Sequence, residues 1–315
     1  MDIPQAAADG RPGKSAPDVT EWRAIVARFQ EPSLPRATWQ LVNTLGGFVL
    51  LWVLMYWSLP VSPWLTVALA ALAGGLLVRV FIIFHDCGHG SFFASRAAND
   101  AVGFICGLLT FTPYHHWRWE HSLHHATSGD LDRRGVGDIW TMTVREYLGA
   151  SRWRRLAYRL ARNPFVLFLL APAPLFLIRE RFPSAKARRQ ERRSVWLMNA
   201  AIAVMVATLA WLFGWETYLL IQLTISVVGG AIGVWLFYVQ HQFDDVYWER
   251  GEEWDYTEAA LKGSSFYRLP RVLQWFSGNI GFHHIHHLSP RIPNYNLERC
   301  HRSHPVFREV KPLTL

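Results

Sequence analysis

The sequence predicts an all-α integral membrane protein: four transmembrane helices in two hairpins, with a cytoplasmic helical cap holding a histidine-rich dimetal site. Three observations predict it. Four segments are apolar over about 20 residues, the length a helix needs to cross a hydrocarbon core of about 30 Å. Lysine and arginine avoid both short hairpin tips. Most of the 14 histidines fall in three short clusters outside the apolar segments.

Composition narrows the class first. Of 315 residues, 51% are hydrophobic and 18% charged, against roughly 25% charged in an ordinary soluble domain, which excludes disorder. Three cysteines exclude a disulfide scaffold, and Cys87, Cys106 and Cys300 form no CxxC pair. A mean hydropathy of +0.08 is too low for a chain embedded throughout and fits a few spans with a large polar part. The net charge of +8 suits an anionic membrane face, because the arginines flank the apolar segments. That distribution accounts for the charge and speaks against a nucleic-acid binder.

Residues 1–20, rich in Pro, Gly and Ala, read as a disordered tail without a secretory signal, and 21–315 as one domain. Trp22, Ile25, Val26 and Phe29 recur at i, i+3, i+4 and i+7, and Asp18 with Glu21 gives a capping-box-like start. This pattern predicts an amphipathic helix lying on the membrane surface. The spans follow at about 40–59 and 64–84, the second with Arg79 near its end, then at 195–213 and 217–240. Pro60 and Pro63 break the first pair and Gly214 the second, so each pair is a tight hairpin. Two shorter apolar runs, 101–114 and 164–178, read as re-entrant or interfacial, the latter interrupted by Pro172 and Pro174.

Orientation comes from the cations. Residues 1–39 carry 5 Lys+Arg, residues 85–194 carry 17 and residues 241–315 carry 9; the hairpin tips carry none. By the positive-inside rule both termini and the long middle loop face the cytoplasm, which places the protein in the inner membrane. Trp39, Trp57, Trp64, Trp196, Trp211, Trp215 and Trp248 fall near span ends, as an aromatic belt does.

The clusters carry the chemistry. His85 and His89 in FHDCGHG are spaced i, i+4, one helical face and close enough to share a metal. His121, His124 and His125 in WEHSLHHATSGD form a stripe at i, i+3, i+4, and His283, His286 and His287 in GFHHIHHLSP repeat that spacing. Buried imidazoles need partners and repel one another when protonated; a metal that binds the neutral rings removes both problems. His241 stands alone just past the fourth span, at a depth matching His85, and completes a set of nine. One zinc takes at most four ligands, so nine imidazoles imply two metals, with iron, copper, nickel and zinc all open by ligand type. Asp86, Glu120, Asp130, Asp138, Asp244, Asp245 and Asn279 are placed to orient ring N–H groups, or are ordinary loop polar residues. His284 lies off the stripe, and His115, His116, His301 and His304 lack its spacing; these read as surface or supporting residues. For the second and third clusters to meet, the chain between them must cross the membrane an even number of times. The 164–178 run must therefore dip and return.

With HDCGH, HSLHH and HHIHH in this order, separated by the two hairpins, the sequence resembles the membrane fatty acid desaturase family over roughly residues 40–300. HHATSGDLDRRGVGDIWTMT and NIGFHHIHHLSPRIPNYNL resemble bacterial acyl-lipid desaturases of the delta-12 (omega-6) type. The resemblance implies two iron ions, O2 as co-substrate and an external reductant. It implies box ligands at His85, His89, His121, His124, His125, His283, His286 and His287, with His241 as a ninth. The expected substrate is an acyl-chain lipid. No HPGG haem motif occurs, so a separate donor of ferredoxin or cytochrome b5 type is expected. Arg118, Arg133 and Arg134 are candidates to meet an anionic head group or an acidic donor. Related histidine-box hydroxylases and ketolases acting on alkanes, sphingolipids or carotenoids are the nearest alternative. A membrane metal transporter is a second, although it calls for ligands at mid-membrane.

Overall fold

The computed structural model describes residues 19–315. Residues 1–18 of the expected tail, Asp18 among them, and the side chain of Glu21 lie outside the described residues, so the expected helix start falls there too. A short helix α1 (Val19–Ala27) leads into the first hairpin, α2 (Leu34–Ser58) and α3 (Pro63–His89). Then come α4 (Arg96–Leu109), α5 (Tyr114–Thr127), α6 (Val144–Gly149), α7 (Arg152–Ala161), a π-helical turn at Val166–Leu170 and α8 (Pro172–Leu177). The second hairpin is α9 (Arg189–Phe213) and α10 (Trp215–His241). The C-terminal part holds α11 (Tyr256–Lys262), α12 (Arg271–Phe276), α13 (His283–Leu288), α14 (Asn294–Ser303) and α15 (Pro305–Arg308). Two-residue strands β1 (Phe266–Tyr267) and β2 (Pro312–Leu313) pair in parallel.

The four expected spans are present as the four helices long and apolar enough to cross a membrane. Each runs longer than its apolar stretch, because backbone hydrogen bonding continues where hydropathy stops. α3 continues through His85 to His89 and ends one residue on, at Gly90, whose φ of +68° closes the C-terminus. α10 ends on His241 itself. His85, His89 and His241 thus occupy the last turns of span helices rather than the loops beyond them. Trp57, Trp64, Trp211 and Trp215 are exposed at the hairpin tips, Trp39 and Trp196 near the opposite ends, and Trp248 sits half-buried in a loop.

α3 and α10 pack at the centre through small residues. A Cβ on Gly74 would come 2.7 Å from Val228 Cβ, and one on Gly229 would come 3.0 Å from the Gly74 carbonyl oxygen. In a bilayer this close approach drives association, since lipid tails are as apolar as the side chains. Arg79, buried in α3, donates from Nε to Thr44 Oγ1 on α2 at 3.0 Å and from Nη1 to the Trp275 carbonyl, and lies 4.2 Å over the Trp275 ring. Hydrogen bonds and a ring face hold this cation within the span.

The expectation for α1 is corrected. Its apolar face does not lie on lipid: Trp22 and Val26 are buried in one cluster with Phe282, Ile285, Leu288, Ile292, Leu297 and Phe307. A 3.6-residue periodicity states that one face is covered, not what covers it. An uncovered apolar face is found instead on α7, among other helices, where Trp153, Leu156 and Leu160 are exposed. The run at 101–114 resolves into the end of α4, a turn, and the start of α5. The 164–178 run is broken into the π turn and α8, and the stretch Val166–Arg181 meets α7 at a 65° bend.

Candidate metal centre

The histidines meet in two adjoining groups. His85, His89, His121, His125 and His286 place one ring nitrogen each within 4.8 Å of one another, and His124, His241 and His287 do the same. His283 joins the second group, its Nε2 lying 2.9 Å from His241 Nε2. All nine expected positions come together from α3, α5, α10 and α13.

The stripes divide in a way that spacing alone did not reveal. On α5 the i, i+4 pair His121 and His125 enters the first group while His124 turns to the second. On α13 the roles reverse: His283 and His287 serve the second group and His286 the first. A 100° step per residue makes this division possible, since the residue beside each pair points to the flank.

Several rings are aimed by hydrogen bonds on the outward nitrogen. His85 Nδ1 is 3.1 Å from Asp86 Oδ1, His124 Nδ1 is 2.9 Å from Asp138 Oδ1, and His241 Nδ1 is 3.3 Å from the Gly263 carbonyl oxygen. Donation there leaves each Nε2 lone pair facing inward. Asp86 is itself fixed by Asn294, whose backbone N and Nδ2 donate to its Oδ2 at 2.6 and 2.8 Å. Trp117 stacks on His121 with ring centroids 4.3 Å apart.

The inward nitrogens converge beyond what hydrogen bonding can satisfy. His125 Nε2 lies 3.1 Å from His121 Nε2 and 3.0 Å from His286 Nε2. His241 Nε2 lies 3.1 Å from His124 Nε2 and 2.9 Å from His283 Nε2. An imidazole nitrogen offers either one proton or one lone pair, so neither hub can serve two neighbours. His89 Nε2 and His287 Nε2 are buried without any partner. Burial, then the neighbouring rings, holds His121, His125, His283, His286 and His287 well below the usual histidine range, so these rings are neutral. Converging neutral imidazoles are the donor set of a metal site, and the residues fit one.

Across residues 62–313 the sequence matches the family model described as fatty acid desaturase. The chain belongs to the fatty acid desaturase family. A "Fatty acid desaturase" of Bacillus subtilis (strain 168) is 52% identical over 92% of this chain and 82% of its own length. An "sn-1 acyl-lipid omega-3 desaturase (ferredoxin)" of Synechocystis is 29% identical over 88% of this chain and 77% of its own. An "sn-1 oleoyl-lipid 12-desaturase" of Anabaena variabilis is 28% identical over 79% and 71%.

The desaturase carries a cavity of about 710 Å³ that reaches from the histidines into the helix bundle. His85, His121 and His283 line one end, followed along α10 by Gln240, Phe237, Val234, Gly233, Gly230 and Ser226. At 1.5 Å per residue, Gln240 to Ser226 spans about 21 Å. Val166, Leu167, Ala171, Leu175, Phe176 and Leu177 also line it, so the stretch between α7 and α9 forms part of the cavity wall.

The remaining polar candidates have other partners. Glu120 forms a bidentate pair with Arg179 at 2.6 and 2.8 Å, with His116 Nδ1 3.8 Å away. Asp130 accepts from the backbone N of Asp132 and Arg133. Asn279 bonds Gln274 and the Asn294 carbonyl, and Asp244 and Asp245 are exposed. His284 points away from both groups to His301 Nδ1 at 3.1 Å, and burial lowers these two rings to about 3 and about 4. His116 and His301 are buried, not surface residues; His116 Nε2 accepts from the Ser184 N–H. Arg118, Arg133 and Arg134 are paired with Asp100, Asp130 and Glu146 within the chain. Asn294, Gly263 and the Glu120–Arg179 pair had no local signal, since each contact joins distant segments.

Proposed function

We propose that the protein is an O2-dependent desaturase that introduces a cis double bond into a membrane-associated acyl chain, with delta-12/omega-6-like regiochemistry. The observation that carries this reading is the long apolar cavity ending on His85, His121 and His283. An acyl tail fills such a cavity by apolar contact alone, and its position there selects which methylene reaches the histidines. Relatives named as acyl-lipid desaturases support a lipid-borne substrate.

His85, His89, His121, His125 and His286 would hold one iron, and His124, His241, His283 and His287 the other. When bound, the two irons supply the oxidising power, drawn from O2 and an external reductant, needed to take hydrogen from an unactivated methylene. Asp86, Asp138 and the Gly263 carbonyl keep the rings in register; Phe237, Phe81 and Ile82 keep water from the reacting carbons. The ferredoxin in a relative's name supports a separate one-electron donor, of ferredoxin or cytochrome b5 type. The cation distribution supports an inner-membrane protein with both termini and the site on the cytoplasmic side. Expression in a bacterial host lacking polyunsaturates, followed by mass spectrometry of its lipids, tests the activity. A diunsaturated chain is expected; an unchanged profile with metal-loaded protein present would overturn it.

A further inference from the structure

Among the charged side chains that line the cavity, one has no charged or imidazole side chain paired with it. Arg179 is matched by Glu120 and Glu180, and Asp138 by His124. Arg162, at the end of α7, has no acidic partner among the described residues. Its Nη2 reaches Tyr238 Oη at 3.4 Å, its guanidinium lies 5.2 Å over the Tyr238 ring, and its Nη1 is buried with nothing to donate to. A half-buried cation with an idle N–H pair is costly unless an anion completes it.

The helix it terminates says where that anion comes from. No residue of α7 is buried, and Trp153, Leu156 and Leu160 form an exposed stripe at i, i+3, i+7. Residues 152–162 carry five arginines and no acid. Phe165, Leu169 and Leu170, also exposed, continue the apolar surface into the π turn. An apolar stripe edged with arginine lies in the headgroup layer of an anionic bilayer, and the segment after it enters the hydrocarbon. Arg162 sits where the two meet, on the wall of the cavity.

We propose that Arg162 is the phosphate-binding residue of a glycerophospholipid site beside the acyl cavity, with α7 laid against the headgroups. This rests on the acyl-cavity reading above and names the carrier: an anionic phospholipid, bound by its phosphate in charge-assisted hydrogen bonds to the guanidinium.

Native mass spectrometry of the purified full-length enzyme tests it with three probes bearing the same oleoyl chains: phosphatidylglycerol, diacylglycerol and oleoyl-CoA. Wild type is expected to retain phosphatidylglycerol over diacylglycerol by about tenfold, the effect of hydrogen bonds to a charged group. Arg162→Gln should erase that preference and Arg162→Lys restore part of it. Arg159→Gln, on the same helix but off the cavity, should keep it, which separates the site from general charge. Equal retention of the two lipids by wild type, or an undiminished preference in Arg162→Gln, would overturn the proposal. So would Arg162-dependent capture of oleoyl-CoA ahead of phosphatidylglycerol, or full displacement of the lipid by millimolar inorganic phosphate. If the desaturase reading fails instead, no new double bond forms in any lipid while Arg162-dependent retention persists.

Discussion

His241 Nε2 stands 2.9 Å from His283 Nε2, although one ring ends α10 and the other opens α13. Forty-two residues of chain fold back to make that contact. It ties a span helix to the C-terminal cap, and it identifies the isolated histidine of the sequence as the hub of the second group.

Replacing His241 with alanine is therefore expected to remove one metal and abolish desaturation. Iron analysis should fall toward one ion per chain, with the first group still filled. An unchanged iron content would show that His241 stands outside the coordination set.

His284 should behave differently. It is fully buried but bonded to His301, away from both groups. His284→Ala leaves a buried ring without its partner, a loss of about 1–3 kcal/mol of stability. A lowered unfolding temperature with iron content retained is the expected result. Iron loss as severe as in His286→Ala would contradict the assignment.

Asp86 and Asp138 each hold the outward nitrogen of a histidine. Alanine at either position is expected to lower metal affinity or activity by about 10–100-fold, read by chelator competition. Asp245→Ala, at an exposed position, should change neither. Asp86 was legible as a neighbour of His85; its fixation by Asn294 was not, because that bond joins residues 208 apart.

More generally, the boxes were readable because metal ligation imposes spacing on a helix, and the spans because the bilayer imposes length. The destination of a face was not readable. The stripe of Trp22 and Val26 packs on Ile285 and Leu297, while Trp153 and Leu156 remain uncovered. Periodicity is the same whether protein or lipid covers the helix. The division of each HxxHH box between two groups was equally hidden, since it depends on where α5 and α13 stand relative to each other.

Two neighbouring glycines of α10 should part company. A Cβ on Gly230 would come 2.8 Å from Pro172 Cβ, while one on Gly233 would meet nothing within 4 Å and stand in the cavity. Gly233→Leu is expected to fold, bind metal and shift the products toward shorter chains, read by lipid mass spectrometry. Gly230→Leu should lower the yield of folded protein instead. An unchanged chain-length profile in folded Gly233→Leu would place the acyl tail elsewhere.

Topology gives a further prediction. Single cysteines at exposed Arg154 and Lys186, in a variant lacking Cys87, Cys106 and Cys300, flank the 164–178 run. Both should be shielded from an impermeant thiol reagent added from the periplasmic side. Labelling of one and not the other would mean that the 164–178 run crosses.

The central claim is that nine imidazoles hold two irons, and metal analysis of gently purified, active wild type tests it most directly. Two iron ions per chain, falling together with activity when a chelator strips them, is the result expected. A reproducible single zinc per chain with full activity would contradict it.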